Sequence, residues 1–122
     1  MGLNESFSQA PNLIRMRSLN DKCIKKMYYV LDEDHNPVAA TLIEWAEFLA
    51  VFSNVRVAED YVGNVRISTV FIGSNIHLSN PPLVFETMIF NAGENYQIRY
   101  ATWDEAIAGH QRILELVNSS CS

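Results

Sequence analysis

Residues 81–100, PPLVFETMIFNAGENYQIRY, carry the reading of the fold. Leu83 to Phe90 form an apolar run, interrupted by Glu86 and Thr87 and too short for a buried helix, so it reads as a strand. NAGEN (91–95) is turn chemistry around Gly93, and YQIRYA (96–101) returns as the hairpin partner. Upstream, VRVAEDYVGNVRISTVFIG (55–73) reads as two more strands about a turn at Val62-Gly63-Asn64. SNIHLSNPP (74–82) is the loop between the two hairpins. YYVLD (28–32) has strand composition and DEDHNP (32–37) is a turn. Two segments have helical spacing instead. TLIEWAEFLAVFS (41–53) repeats Leu42, Trp45, Ala46, Leu49 and Phe52 on one face, and TWDEAIAGHQRILELV (102–117) repeats Trp103, Ala106, Ile107, His110, Leu114 and Val117. Each opens with a threonine followed three residues later by a glutamate, the capping box that satisfies free N–H groups at a helix start. Short links between strands demand antiparallel pairing. The predicted fold is an α+β two-layer sandwich: a mainly antiparallel sheet of four to five strands with two amphipathic helices on one face.

Alternation sorts each strand into two faces. Val65, Ile67, Thr69, Phe71, Leu83, Phe85, Thr87, Ile89, Tyr96, Ile98 and Tyr100 form an almost wholly apolar set, expected under the helices. The opposite set is Arg66, Ser68, Val70, Ile72, Val84, Glu86, Met88, Phe90, Gln97 and Arg99. Apolar side chains of that size on an outward face mark a partner interface or a ligand groove. The expectation is a homo-oligomer whose second subunit covers this face. Glu86, Arg66, Met88 and Phe90 would organise the interface or a pocket, with Arg66 or Arg99 as partner to the Glu86 carboxylate.

The chain has 122 residues, 48% hydrophobic and 19% charged, which suits one folded domain and excludes a disordered chain. Charge is uneven. Residues 1–26 hold Arg15, Arg17, Lys22, Lys25 and Lys26 against Glu5 and Asp21, a net of +3, without sustained periodicity; they read as a flexible or loosely docked basic arm. Residues 27–122 hold four arginines against twelve carboxylates, a net of −8, and read as a single α+β domain. An acidic body argues against duplex nucleic acid as a partner, which needs a basic stripe. No apolar run approaches the roughly 20 residues that span a bilayer, and no signal-peptide core is present, so a cytoplasmic location without membrane attachment is expected. Cys23 and Cys121 form no CxxC or Cys/His cluster and read as free thiols, with no metal site.

Catalytic signatures are absent: there is no phosphate loop, GxSxG or HExxH. His77, in the loop before the Glu86 strand, and Glu86 are the one pair that could serve as acid and base on a nucleotide. His35, in an acidic turn, reads as solvated, and His110 as a hydrogen-bonded core histidine. Asn95 and Tyr96 beside the turn, with an arginine such as Arg99, form the kind of set that stacks a purine and reads its edges.

RISTVFIG, the loop histidine, PPLVFETMIF and RYATWDEAIAGH together resemble a family of small bacteriophage proteins over residues 27–117. The chain resembles the first-described Thoeris anti-defence proteins, oligomeric sponges that sequester cyclic ADP-ribose-type immune signals uncleaved, some of which also hold cyclic oligonucleotides. That resemblance implies a non-enzymatic protein acting in the host cytoplasm without a cofactor. It places Phe85, Asn95 and Arg112 at the ligand, with Arg99, His77 and Tyr96 as further candidates. Core packing is the reading of Phe85 from the strand pattern itself. Two rival functions stay open: an acidic inhibitor of a host defence complex, comparable to an anti-CRISPR protein, and a small nucleotide hydrolase using His77 and Glu86.

Overall fold

The computed structural model describes residues 27–121; the basic arm of residues 1–26 and Cys23 lie outside the described residues. A hairpin opens the fold, β1 (Tyr28–Leu31) and β2 (Pro37–Ala40). Asp32 builds its turn: one carboxylate oxygen accepts from the backbone N–H groups of Asp34 and Asn36, each at 2.9 Å. The backbone bond from Asn36, aided by that from Asp34, outweighs the opposing effect of desolvation and holds that carboxyl below its ordinary pKa. The β2 strand escaped the sequence reading because Pro37-Val-Ala-Ala has neither alternation nor length.

Helix α1 (Leu42–Leu49) starts with the predicted capping box, Glu44 N–H to Thr41 Oγ1 at 3.1 Å and Thr41 N–H to Glu44 Oε1 at 2.8 Å. The helix expected over 41–53 is two pieces. Val51 is extended (φ −97°, ψ 108°), and a single turn, α2 (Phe52–Val55), follows. The Asn54 side chain donates to the Phe48 carbonyl at 3.0 Å, so a side chain closes the helix end where the backbone turns away.

The main sheet is a four-stranded antiparallel meander in the order β3 (Arg56–Val62), β4 (Val65–Phe71), β5 (Phe85–Ala92), β6 (Glu94–Tyr100). Its register stacks Phe71, Phe85 and Tyr100 in one row, Ala58, Thr69, Thr87 and Ile98 in the next, and Asp60, Ile67, Ile89 and Tyr96 in the third. These rows face the helices, as the alternation predicted. Helix α3 (Trp103–Cys121), longer than the predicted 102–117, crosses them, and α1 adds Phe48 edge-on to Phe71.

Among the described residues two apolar clusters result. One joins Leu31, Phe71, Val84, Phe85, Tyr100 and Ala106; the other joins Ile67, Ile89 and Ile113. Val84, assigned to the outward face by alternation, is fully buried because it precedes β5. Its carbonyl accepts from the N–H groups of Ile72 and Gly73. Two glycines are structural requirements. Gly73 (φ +68°) passes under the Trp45 ring and beside the Tyr29 carbonyl, where a Cβ would sit 2.6–2.8 Å from both. At Gly109 a Cβ would overlap the Tyr100 ring, so this residue sets how closely α3 approaches β6.

One part of the sorting needs correction. Tyr96 and Ile98 face the helix side yet are exposed, because α3 meets β6 at its Tyr100 end and leaves these two positions uncovered.

Candidate functional site

Between the two clusters runs a polar chain that the strand pattern could not foresee. His110 is buried on α3 with its Nδ1 2.7 Å from Thr69 Oγ1 and its Nε2 2.7 Å from Asp60 Oδ2. Thr69 Oγ1 lies 2.5 Å from Thr87 Oγ1 on the neighbouring strand. Asp60 is half exposed and can only accept, so Nε2 carries the proton. With the ring neutral, Nδ1 accepts from Thr69, and Thr69 accepts from Thr87. Every member is then satisfied. Asp60, His110 and a hydroxyl have the order of a nucleophile triad, but both threonines are wholly buried and no substrate atom reaches them. The chain fastens α3 to the sheet. The periodicity already marked His110 as a core histidine; Asp60 was hidden because β3 had no resolved register in the sequence.

The outer face carries two ion-pair groups. Glu59 Oε2 meets Arg66 Nε at 2.5 Å and its Oε1 meets Arg56 Nη2 at 3.3 Å. The Arg66 hydrogen bond, with the charges of both arginines, keeps the Glu59 carboxyl below its ordinary pKa, and the same bond, with the Glu59 charge, raises that of Arg66. Arg66 also lies over the Phe90 ring, 5.0 Å from its centroid, and Arg56 over Phe52 at 4.5 Å. Glu86 is buried and pairs with Arg99, Oε2 to Nε at 3.2 Å. Of the two arginines weighed as its partner, Arg99 fills the role and Arg66 belongs to Glu59. Met88 and Phe90 stand half-buried among these groups.

The other ligand candidates disperse. Phe85 is fully buried among Phe71 and Trp103, Asn95 is exposed on β6, and Arg112 is exposed on α3. His77 is exposed in its loop and forms no bond with Glu86. His35 is exposed but not simply solvated: its ring stacks on Trp103, 3.9 Å between centroids at 10°. Tyr96 donates its hydroxyl to Glu94 at 3.2 Å, and the adjacent carboxylate raises the phenol pKa.

The concave feature nearest these candidates is a groove of about 420 Å³ between the sheet edge and the last turns of α3. Val65, Ile89, Tyr96, Ile98, Ile113 and Leu116 line it. Arg112 is not among the lining residues; it stands one helical turn before Leu116 on the same side of α3. Among the described residues no three of His, Cys, Asp or Glu gather to hold a metal ion, and no helix is long and apolar enough to cross a membrane.

No protein-family model, curated protein or solved structure matches the chain. The geometry therefore carries the functional reading. Its features are of two kinds: Glu59, Glu86, Asp60 and the buried His110, engaged in internal pairs, and an apolar groove with Tyr96 on its wall.

Proposed function

We propose that the chain is a phage-encoded anti-defence protein that binds a cyclic ADP-ribose-type or cyclic oligonucleotide immune signal in the host cytoplasm. It sequesters the signal without cleaving it and works as a homo-oligomer. The observation that carries this reading is the groove between β6 and α3. Its volume lies within the roughly 300–1,000 Å³ typical of small-molecule sites, and such sites combine apolar walls with a few polar contacts. Tyr96 offers an aromatic face for a base, and Arg112, one helical turn before Leu116, offers a fork for a phosphate. The engaged state of Glu59, Glu86, Asp60 and His110 suits holding a ligand better than turning it over. The resemblance of the FETM and YATW segments to a family of small bacteriophage proteins, and of the chain to the Thoeris anti-defence proteins, supports the same reading.

Isothermal titration with cyclic ADP-ribose isomers and with cyclic di- and trinucleotides tests the proposal. Saturable heat with one of them is expected, together with recovery of the intact ligand after denaturation. Absence of heat with all of them refutes it, and a cleaved product would restore the hydrolase reading.

The charge distribution favours a second reading, an acidic inhibitor of a host complex. Arg56, Arg66 and Arg99 oppose Glu59 and Glu86 on the outer face, a net of +1. The rest of residues 27–122 carries Arg112 against ten carboxylates, a net of −9. A stoichiometric host protein retained by the tagged chain, and lost in high salt, would favour inhibition over sequestration.

A further inference from the structure

We propose that β6 is the dimer seam: a second copy of this chain adds its own β6 antiparallel to it about a twofold axis, joining the two meanders into one eight-stranded sheet. The two sheet edges differ in a way that selects β6. At the β3 edge the strand is bulged between Arg56 and Ala58, its helix side is held by α3 through the Asp60–His110 bond, and its outer side is occupied by the Arg56–Glu59–Arg66 group. Bulges and charges of this kind are how proteins close an edge to further pairing. β6 is less closed: the register shift in its pairing, between Ile89 and Ala92, lies on β5, and its outer side carries one ion pair, Arg99 with Glu86. It runs seven residues without proline or lysine, pairs regularly with β5 from Tyr96 to Tyr100, and has no neighbour on its other side among the described residues.

Its helix-side residues are also left open. Tyr96 is 43% exposed, Ile98 39% and Leu116 57%, although two of them belong to the face that the helices cover elsewhere. A row of unpaired amides beside apolar side chains specifies an extended strand as its complement.

Charge selects the direction and the partner. β6 begins with Glu94 and nears its end with Arg99. Parallel addition would set like charges side by side, whereas antiparallel addition lays the acidic end of one strand beside the basic end of the other. Centred on Gln97, the register puts Gln97 opposite itself, Tyr96 opposite Ile98 of the second copy, and Asn95 opposite its Arg99. On the helix side Tyr96 meets Ile98 and Glu94 lies opposite Tyr100, on the outer side polar meets polar, and no like-charged pair is directly opposed. A strand that complements itself in this way fits an isologous twofold contact. In the dimer the groove of each copy gains a wall from the second copy, which deepens the proposed ligand site; the seam itself stands whether or not that ligand reading holds.

Light scattering on the eluting full-length chain, without ligand and over a dilution series, tests the seam. The expected mass is twice the 13.8 kDa of one chain, or a higher even multiple. The Tyr96→Lys/Ile98→Lys double variant should halve it while keeping the wild-type circular dichroism spectrum. Tyr61→Lys, an exposed change on the outer face, should leave it unaltered. Gln97→Cys with Cys23→Ser and Cys121→Ser should give a disulfide-linked dimer on mild oxidation, because directly opposed antiparallel residues lie about 4.5–5.5 Å apart at Cα, within disulfide reach. A single-chain mass at every concentration overturns the proposal. So does an oligomer whose mass the double variant leaves unchanged. Titration of the wild-type chain with the cyclic nucleotides reads the ligand hypothesis separately, because the double variant alters two residues that line the groove.

Discussion

Substituting His110 by phenylalanine probes the polar chain that divides the core. The imidazole is almost fully buried and accepts the Thr69 hydroxyl at 2.7 Å while donating to Asp60 at 2.7 Å. Phenylalanine keeps an aromatic ring in the same buried position but removes both bonds. Asp60 is half exposed, so water replaces the lost donor there, and about 0–1 kcal/mol is forfeited at that end. At the other end Thr69 and Thr87 can still bond each other, but one of their two hydroxyl protons is left buried without an acceptor, a cost of about 1–3 kcal/mol. The larger ring adds about 1 kcal/mol of overpacking at a site with no spare room. The sum is about 2–5 kcal/mol, and for a domain near 100 residues each kcal/mol lowers Tm by about 4–8 °C. Urea unfolding followed by circular dichroism reads the loss directly. The decisive comparison adds Thr69→Val and Thr87→Val. Valine has the shape of threonine without the orphan hydroxyl, so the triple variant should regain at least about 1 kcal/mol over His110→Phe. A triple variant as unstable as the single one, or less stable, refutes the claim that unsatisfied hydroxyls dominate the cost.

Two further outcomes follow from the ion pairs. Arg99→Ala leaves the buried Glu86 carboxylate without its cation. Because Arg99 is itself partly exposed, the expected loss is about 1–3 kcal/mol, below the 3–5 kcal/mol of a fully buried pair, and Arg99→Met with Glu86→Leu should recover most of it in the same urea assay. On the acid side, the Asp32 and Glu59 carboxyls are held below their ordinary values by hydrogen bonds in the folded state. Their stabilisation is present above the unfolded carboxyl pKa and is lost as pH falls through the lower folded values. Asp32→Asn and Glu59→Gln should therefore flatten the decline of Tm below about pH 4.5, where model carboxyls titrate. An unchanged slope would show that these hydrogen bonds do not favour the folded state.

The architecture was legible because each local signal was strong and agreed with its neighbours. The capping residues Thr41 and Thr102 start α1 and α3, Gly63 and Gly93 turn the two hairpins with positive φ, and alternation from Val65 to Phe71 sorted β4 correctly. What failed to show depends on distance across the fold. Nothing local states that β3 would bulge at Arg56/Ala58 and so bring Asp60 onto the helix side beside His110, fifty residues away. Nor does alternation know where a helix ends its cover, and so Tyr96 and Ile98 were sorted to the right face and given the wrong burial. Glu86 shows the opposite case. Its oddity was visible in PPLVFETMIF, and pairing arithmetic narrowed its partner to two arginines, of which register picks Arg99.

The same geometry constrains how the resemblance to a nucleotide sponge can be used. Phe85, Asn95 and Arg112 do not form one site within a protomer. Phe85 is sealed beneath Trp103 in the core, Asn95 belongs to the outer side of β6 by alternation, and Arg112 stands on α3 across the opposite face. A ligand that met Phe85 would have to open the core, whereas one that met only Asn95 and Arg112 would have to span two copies. Opening the core at Phe85 forfeits the packing of a large buried aromatic, about 3–5 kcal/mol by the cost of truncating one. Spanning two copies costs no packing and needs only that the β6 edge be occupied. If a cyclic nucleotide binds, Arg112→Ala and Tyr96→Ala should therefore weaken it with the fold intact, whereas Phe85→Ala should lower Tm by tens of degrees before any effect on affinity can be read. A Phe85→Ala protein that kept its Tm and lost its ligand would reverse that order, and would place the aromatic in the site after all.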